Sequence, residues 1–231
     1  MPSKQFALDD QIVTIYKRKS NRSLRLSVTA DGRVRVSIPT WAPYSAGLKF
    51  ARSREQWIRA QRPEPLQLKN GQAVGKAHHL RFAPSPVPAA KVKSRVYPTE
   101  IVVSHPAAMP TSDAAVQQIA EAAGIRALRR QAEHLLPQRL AELAAAHNFS
   151  YGEVRIKHLK SRWGSCDHNG TIVLNLFLMQ LPWDCIDYVL LHELTHTRVL
   201  RHGPPFWEAM QSVLPDVARL RKAIRAYQPA L

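Results

Sequence analysis

The stretch from Asp187 to Trp207, DYVLLHELTHTRVLRHGPPFW, contains three histidines and a glutamate at spacings that suit metal-dependent hydrolysis. His192 and His196 are four residues apart, so on a helix their rings lie on one face, one turn apart. Two imidazoles placed in this way can bind one zinc ion. Glu193 lies about 100° further round the helix, where its carboxylate can take a proton from a water that zinc has acidified. The pattern predicts a hydrolytic zinc centre with Glu193 as the general base.

A catalytic zinc ion needs a third protein ligand and an open position. His202 is the first candidate, because Gly203, Pro204 and Pro205 are expected to stop the helix and let the chain turn back toward the metal. Glu208 is the alternative third ligand. The histidines expected at the surface instead are His78, His79, His105, His134, His147 and His168.

The motif also has a plain structural interpretation. Apolar residues surround it, so the helix is expected to be buried. Its histidines could then be core residues bonded to backbone, with Glu193 paired to an arginine. We favour the metal centre, because two histidines and a glutamate inside a buried helix are costly unless each is satisfied.

The segment HLKSRWGSC, which precedes the helix, is a candidate substrate-binding strand. An extended peptide could pair with its edge. Arg162 could stabilise an oxyanion or a substrate carboxylate, and Gly164 would allow a bulge or close backbone approach. The alternative is that Arg162 and Trp163 pack and cap the sheet against the helix.

Several neighbouring residues have more open roles. Cys166 could be a fourth metal ligand that keeps an enzyme latent, or a small buried residue. Asn175 or Tyr188 could orient a ligand histidine. Phe206 and Trp207 are expected to anchor a closing helix in the core.

The elements that must position these residues follow from periodicity. The first hundred residues alternate as strands do, and Asp31-Gly32 predicts a hairpin turn. Exposed arginines on that hairpin are expected to form a solvated face: Arg22, Arg25, Arg33 and Arg35. A helix is predicted after Ser112 or Asp113, and Pro137 is expected to kink it or to start a second one.

Two strands, EVRIKHLK and TIVLNLFLM, follow that helix, with a tight turn predicted at Asn169-Gly170. Pro182 is expected to open the histidine-bearing helix. The predicted fold is α+β: a β-rich N-terminal region (residues 1–108) and a zincin-like catalytic domain (residues 109–231). In the latter, the active-site helix packs on a small antiparallel sheet.

Composition limits the classes of protein. The chain of 231 residues is 45% hydrophobic, with no run long enough for a membrane span and no secretory signal pattern. Two cysteines are too few for a disulfide framework, so reduced thiols and a cytoplasmic location are expected. A net charge of +16 favours polyanions. A second hypothesis is therefore a nucleic-acid-associated protein with a structural zinc, or a protease that needs a DNA scaffold.

Three segments together carry a family resemblance: SRWGSC, IVLNLFLMQLPWDCIDYVLLHELTH and RHGPPFW. With them the chain resembles the YgjP-like zinc-dependent metallopeptidases, a bacterial group related to the SprT and Spartan proteases. The early RSLRLSVTADGRVRVSIP is also similar to that family's β-rich part. The resemblance implies a zincin fold, zinc bound by His192, His196 and His202, Glu193 as base, and peptide or unfolded-protein substrates.

Two features depart from related groups. Val199 stands where metzincins have glycine, and no Met-turn follows, so the chain is not a metzincin. It also lacks the cysteine-rich zinc ribbon of Spartan-type relatives, which weakens any transfer of a role on DNA-bound proteins.

Overall fold

The computed structural model describes residues 3–8, 11–29, 32–61, 67–87, 91–229 and 231. The chain divides into two compact units, Met1–Leu66 and Gln67–Leu231. The division expected after residue 108 differs from this one and falls inside the second unit. The reason is that strands before residue 108 pack on the long helix after it, so they share one core.

The first unit is a four-stranded sheet with helices on one face. Its elements are β1 (Ser3–Leu8), β2 (Gln11–Arg18), β3 (Arg25–Val28), β4 (Val34–Pro39), α1 (Tyr44–Ser53) and α2 (Glu55–Gln61). The strand order is β1-β2-β4-β3, with β2 and β4 parallel and the other pairs antiparallel. The hairpin predicted between β3 and β4 is present, and Gly32 has the positive φ of 73° that its turn needs. Asp31 lies outside the described residues.

The second unit begins with another four-stranded sheet, which packs on a long helix. Its elements are β5 (Ala73–Val74), β6 (His78–Ser85), β7 (Lys93–Val96), β8 (Glu100–Pro106) and α3 (Ala114–Ala146). Asp113 caps α3 by accepting a hydrogen bond from the Ala115 amide at 2.8 Å. The helix continues through Pro137, so no second helix starts there. Leu136 and Leu140, on either side of Pro137, are fully buried in the core.

A polar network joins the start of this sheet to α3. The Gln131 amide nitrogen lies 2.7 Å from His78 Nδ1, and its oxygen accepts from the Lys76 amide at 2.6 Å. His78 Nε2 lies 2.9 Å from the Tyr97 carbonyl, which can only accept, so Nε2 donates and Nδ1 accepts. Burial lowers the pKa of His78, and the bond to Tyr97 opposes the shift only in part. The prediction that His78 and His105 lie at the surface is wrong, since both are buried.

The rest of the second unit carries the candidate site. Its elements are β9 (Val154–Lys157), β10 (Gly164–Cys166), β11 (Ile172–Asn175), a 3-10 turn (Leu176–Gln180), α4 (Trp183–His196), α5 (Pro204–Val213) and α6 (Val217–Ala223). The sheet order is β10-β11-β9. The predicted turn at Asn169-Gly170 joins β10 antiparallel to β11, and Gly170 has a φ of 75°. β9 is parallel to β11, so the sheet is mixed and not purely antiparallel as predicted.

No helix within the described residues combines the length and apolarity needed to cross a bilayer.

Candidate metal centre

The helix α4 is fixed by an apolar surface and one ion pair. Ile186, Leu190 and Leu194 are fully buried against the core. On the side facing α3, Arg139 binds the Asp187 carboxylate with two hydrogen bonds of 2.8 and 2.7 Å, and these bonds raise the pKa of Arg139. A two-pronged pair of this kind fixes both distance and orientation. It therefore holds α4 against α3.

Three histidine side chains converge at the end of α4. The ring centroids of His192 and His196 are 4.8 Å apart, as their helical spacing predicts. His202 Nε2 lies 2.9 Å from His192 Nε2 and 3.1 Å from His196 Nε2. The potential ligand atoms of all three lie within 4.8 Å of one another. Tetrahedral zinc, with Zn–N distances of about 2.0–2.1 Å, needs its nitrogens about 3.3 Å apart, so the spacing suits one ion.

The protonation of these rings also suits a cation. His196 Nδ1 lies 3.1 Å from the Val199 carbonyl, so Nδ1 carries the hydrogen and Nε2 presents a lone pair to the cluster. Burial lowers the pKa of His192 to about 3, and the charges of His196 and His202 act in the same direction. A hydrogen on His202 Nε2 could be donated to only one of the two neighbouring nitrogens, His192 Nε2 or His196 Nε2. A metal ion between the rings would satisfy all three.

Glu193 lies beside this cluster with an unused acceptor. Its side chain is 5% exposed, and its Oε2 atom is buried without a hydrogen-bond partner among the described residues. Burial raises the pKa of Glu193 to about 8, and the positive charge of Arg162 opposes the shift. At this pKa the carboxyl group is mostly protonated at pH 7, and a cation held by the three histidines would favour its ionised, proton-accepting form.

Gly164 of β10 makes room for that carboxylate. A Cβ added at Gly164 would lie 2.7 Å from Glu193 Oε1 and 2.9 Å from its Cγ. Any side chain at this position would overlap Glu193 as it stands. The close approach predicted for Gly164 is therefore present, and its neighbour is the candidate base.

The turn that carries His202 differs from the predicted one. α4 already ends at His196, with Thr197 as its C-cap, and the chain turns before His202. Pro204 and Pro205 do not stop α4, because they form the first turn of α5, where proline's missing N–H is harmless. The alternative ligand Glu208 is exposed and is not part of the histidine cluster.

Aromatic residues of α5 line the cluster, a role that sequence analysis missed. Phe206 is fully buried, as expected, but its ring centroid also lies 4.6–4.8 Å from those of all three histidines. Trp207 stacks on His202 with centroids 5.9 Å apart, and the Arg221 guanidinium lies 4.2 Å from the Trp207 centroid. His202 is itself exposed, and this stack adds a second ring contact to the one that Phe206 makes with it. The signal available in the sequence was the position of Phe206 and Trp207, four and five residues after the third histidine.

Asn175 has a different role from the one considered. It is fully buried, and its amide donates to the carbonyls of Leu159 and Arg162 at 2.8 Å each. It therefore holds the segment that leads into β10 and does not hydrogen-bond to a ligand histidine. Tyr188 contacts the His192 ring, with centroids 5.9 Å apart.

Other residues near β10 are arranged as follows. Arg162 is exposed, and Trp163 is half-buried against the core. The Cys166 thiol donates to the Asp167 carbonyl at 3.4 Å, and burial, with the nearby charge of Glu193, raises its pKa to about 11. Among the described residues the possible metal ligands that cluster are the three histidines, without Cys166. Cys166 therefore lies outside the histidine cluster and is not placed as a fourth ligand in this arrangement.

Comparison with known families agrees with this chemistry. The family model described as YgjP-like, metallopeptidase domain, matches residues 22–227. The chain belongs to the YgjP-like family. No curated protein matches the sequence. Two solved structures resemble part of this YgjP-like chain, both metallopeptidase zymogens: abylysin of Pyrococcus abyssi and jannalysin of Methanocaldococcus jannaschii.

The overlap with these two structures is limited. Abylysin is 23% identical, with 40% of this chain and 93% of that one covered, at a TM-score of 0.37. Jannalysin is 19% identical, with 39% and 94% covered, at a TM-score of 0.36. The family assignment therefore rests on the family model, whose metallopeptidase domain supports a metal-dependent peptidase.

Proposed function

We propose that this protein is a zinc-dependent peptidase, with His192, His196 and His202 as the zinc ligands and Glu193 as the general base. The observation that carries the proposal is the convergence of three histidine Nε2 atoms beside a buried glutamate with a free oxygen. Zinc bound to three histidines would lower the pKa of water to about 7 and polarise a peptide carbonyl. A site with three protein ligands leaves a position for water, whereas a structural zinc site is usually closed by four.

Glu193 performs the proton transfers in this scheme. Its carboxylate accepts the proton of the attacking water at Oε2, the oxygen that has no other partner. The same group then returns the proton to the leaving amine. The positive charge of Arg162 favours the ionised form of Glu193, and a cation bound by the three histidines would favour it further. The Phe206 ring, which contacts all three histidine rings edge-on or tilted, keeps bulk water from one side of the cluster.

Peptide substrates are proposed to bind along β10. Among the described strands β10 pairs with β11 alone, at the edge of its sheet, and it contacts α4. An extended segment of an unfolded protein could add to the free edge through backbone hydrogen bonds. Gly164 would bring the scissile bond close to Glu193, and Arg162 could pair with an oxyanion or a substrate carboxylate. Trp163 would contribute through packing beneath the strand.

The test combines zinc content with cleavage of an unfolded, fluorescently labelled protein. Glu193→Gln keeps the shape of the side chain but removes the base, so we expect about one zinc per chain and a loss of cleavage of about 10²–10⁴-fold. His202→Ala is expected to lose zinc. Glu208→Gln is the matched control, because it makes the same chemical change at an exposed position on α5 and should change neither quantity. Cleavage by Glu193→Gln at the wild-type rate would refute the mechanism.

A further inference from the structure

The first unit carries a disproportionate share of the positive charge. Residues 1–66 contain 13 Lys and Arg against 5 Asp and Glu, whereas residues 67–231 contain 20 against 12. Each part therefore contributes a net charge of +8, although the first has less than a third of the residues. Charge concentrated in a small unit attracts polyanions more strongly than the same charge spread over a large one. The zinc-site proposal does not use this unit.

The sheet of the first unit has two chemically different faces. On the inner face, Val13, Ile15, Val34, Val36 and Ile38 are buried under the helices. On the outer face, the alternate residues of the same strands are exposed or half-buried. The alternation is strict along β3 and through most of β4, which fixes which side chains share the outer face.

Cross-strand register arranges the outer face in polar rows. One row contains Arg25 of β3 opposite Ser37 of β4, with Tyr16 of β2 next to Ser37. The neighbouring row contains Ser27, Arg35 and Thr14, and Gln5 of β1 continues it. Within the described part of these strands the outer face has no carboxylate, and Arg25 and Arg35 make no ion pair. Guanidinium and hydroxyl groups side by side are the donors that phosphate oxygens accept from.

One end of this sheet carries an exposed aromatic ring. Trp41 is 78% exposed, the highest value among the large apolar side chains of the described residues. It follows β4 by two residues, and the last residue of that strand, Pro39, pairs in register with Arg18. Lys17 is also fixed at this end, where its amine donates to the Thr40 carbonyl. An exposed tryptophan at this end of a positively charged unit provides a surface on which a nucleobase can stack.

We propose that the outer face of this sheet binds single-stranded nucleic acid. Arg25 and Arg35, with the adjacent hydroxyl groups, contact phosphates, and Trp41 stacks on a base at the end of the sheet. Ile12 is the one large aliphatic side chain exposed on the described part of this face, so its polar rows favour this ligand over a membrane surface, which requires several apolar side chains to insert. Single-stranded DNA and RNA both present phosphates and flat bases to such a surface, so either of them fits the proposed site.

Fluorescence anisotropy of labelled oligothymidylate and oligouridylate of about 20 nucleotides tests this surface on the full-length protein. Binding is expected at low salt and should weaken as salt rises from about 50 to 200 mM. Arg25→Gln/Arg35→Gln should reduce affinity at least about tenfold. Because it removes two phosphate contacts, it should also lower the magnitude of the slope of log K against log salt by about 1.4. Trp41→Ala should reduce affinity by about tenfold without changing that slope.

Arg52→Gln/Arg54→Gln is the matched control. It removes the same charge from exposed positions at the end of α1, a helix that packs on the inner face. We expect its affinity for the oligonucleotides to stay within about twofold of wild type, because α1 is on the opposite side of the sheet from the proposed binding face. Exposed substitutions of this kind also leave the fold intact. Equal weakening by the two double variants would overturn the proposal in favour of a general charge effect. So would the absence of binding at low salt, or binding to anionic phosphatidylserine vesicles without binding to either oligonucleotide.

Discussion

Gly164→Ala tests whether the approach of β10 to α4 sets the position of the base. The new Cβ would lie 2.7 Å from Glu193 Oε1, 2.9 Å from Cγ and 3.0 Å from Cδ. Ordinary contacts between such atoms are about 3.5 Å or longer, so one group must move by about 0.8 Å. Glu193 is 5% exposed and cannot rotate into solvent, so either its carboxylate or β10 shifts inside the site. A displacement of about 1 Å can lower a catalysed rate about 100-fold.

We therefore expect Gly164→Ala to bind about one zinc per chain and to cleave an unfolded protein about 10–100-fold more slowly than wild type. Overpacking should also lower the free energy of unfolding by about 1–3 kcal/mol, measured by urea denaturation. Gly203→Ala makes the same substitution beside His202, where the added Cβ meets only Pro205 Cδ at 3.7 Å and φ is −105°. It should cleave at close to the wild-type rate. A wild-type rate for Gly164→Ala would show that this contact does not position Glu193.

Two further predictions concern the support of the cluster and the buried histidine near α3. Trp207→Leu removes the ring stacked on His202 and should weaken zinc binding about tenfold in competition with a chelator, whereas Trp183→Leu, at an exposed position on α4, should not. His78 has a lowered pKa when folded, so near pH 6 the unfolded chain binds more protons, and stability is lost as pH falls through about 6.5. His78→Asn should be less stable than wild type at pH 7.5, by a margin that shrinks toward pH 5 in urea denaturation. His134→Asn, on the exposed side of α3, should follow the wild-type curve, and a constant margin for His78→Asn would contradict the assignment of its neutral form.

Local periodicity was enough to predict some features of the site. Helical spacing requires that His192 and His196 share a face, and the structure brings their rings together. The Asn169-Gly170 turn and the Asp113 cap are also local, because each depends on the conformation of a few neighbouring residues. These features could be predicted from the sequence because no distant contact competes with them.

Features that depend on distant contacts were predicted poorly. The sequence predicts an antiparallel sheet for this region, but β9 is parallel to β11, and no local pattern fixes that choice. The sequence also predicts a surface position for His78, whereas the residue is buried against Gln131, 53 positions later in the chain. The predicted place of Asn175 beside a histidine is wrong, since its amide binds carbonyls in a segment without regular structure.

The close approach of Gly164 to Glu193 makes motifs that are distant in the chain depend on one another. SRWGSC and HELTH are separated in the chain, yet any side chain in place of Gly164 in the first motif would overlap Glu193 in the second. RHGPPFW supplies both the third histidine and the two rings that line the cluster. The candidate site therefore needs residues from all three motifs. For this reason HELTH alone predicts a pair of histidines on a helix, whereas all three motifs together predict a carboxylate held at a defined position beside a metal.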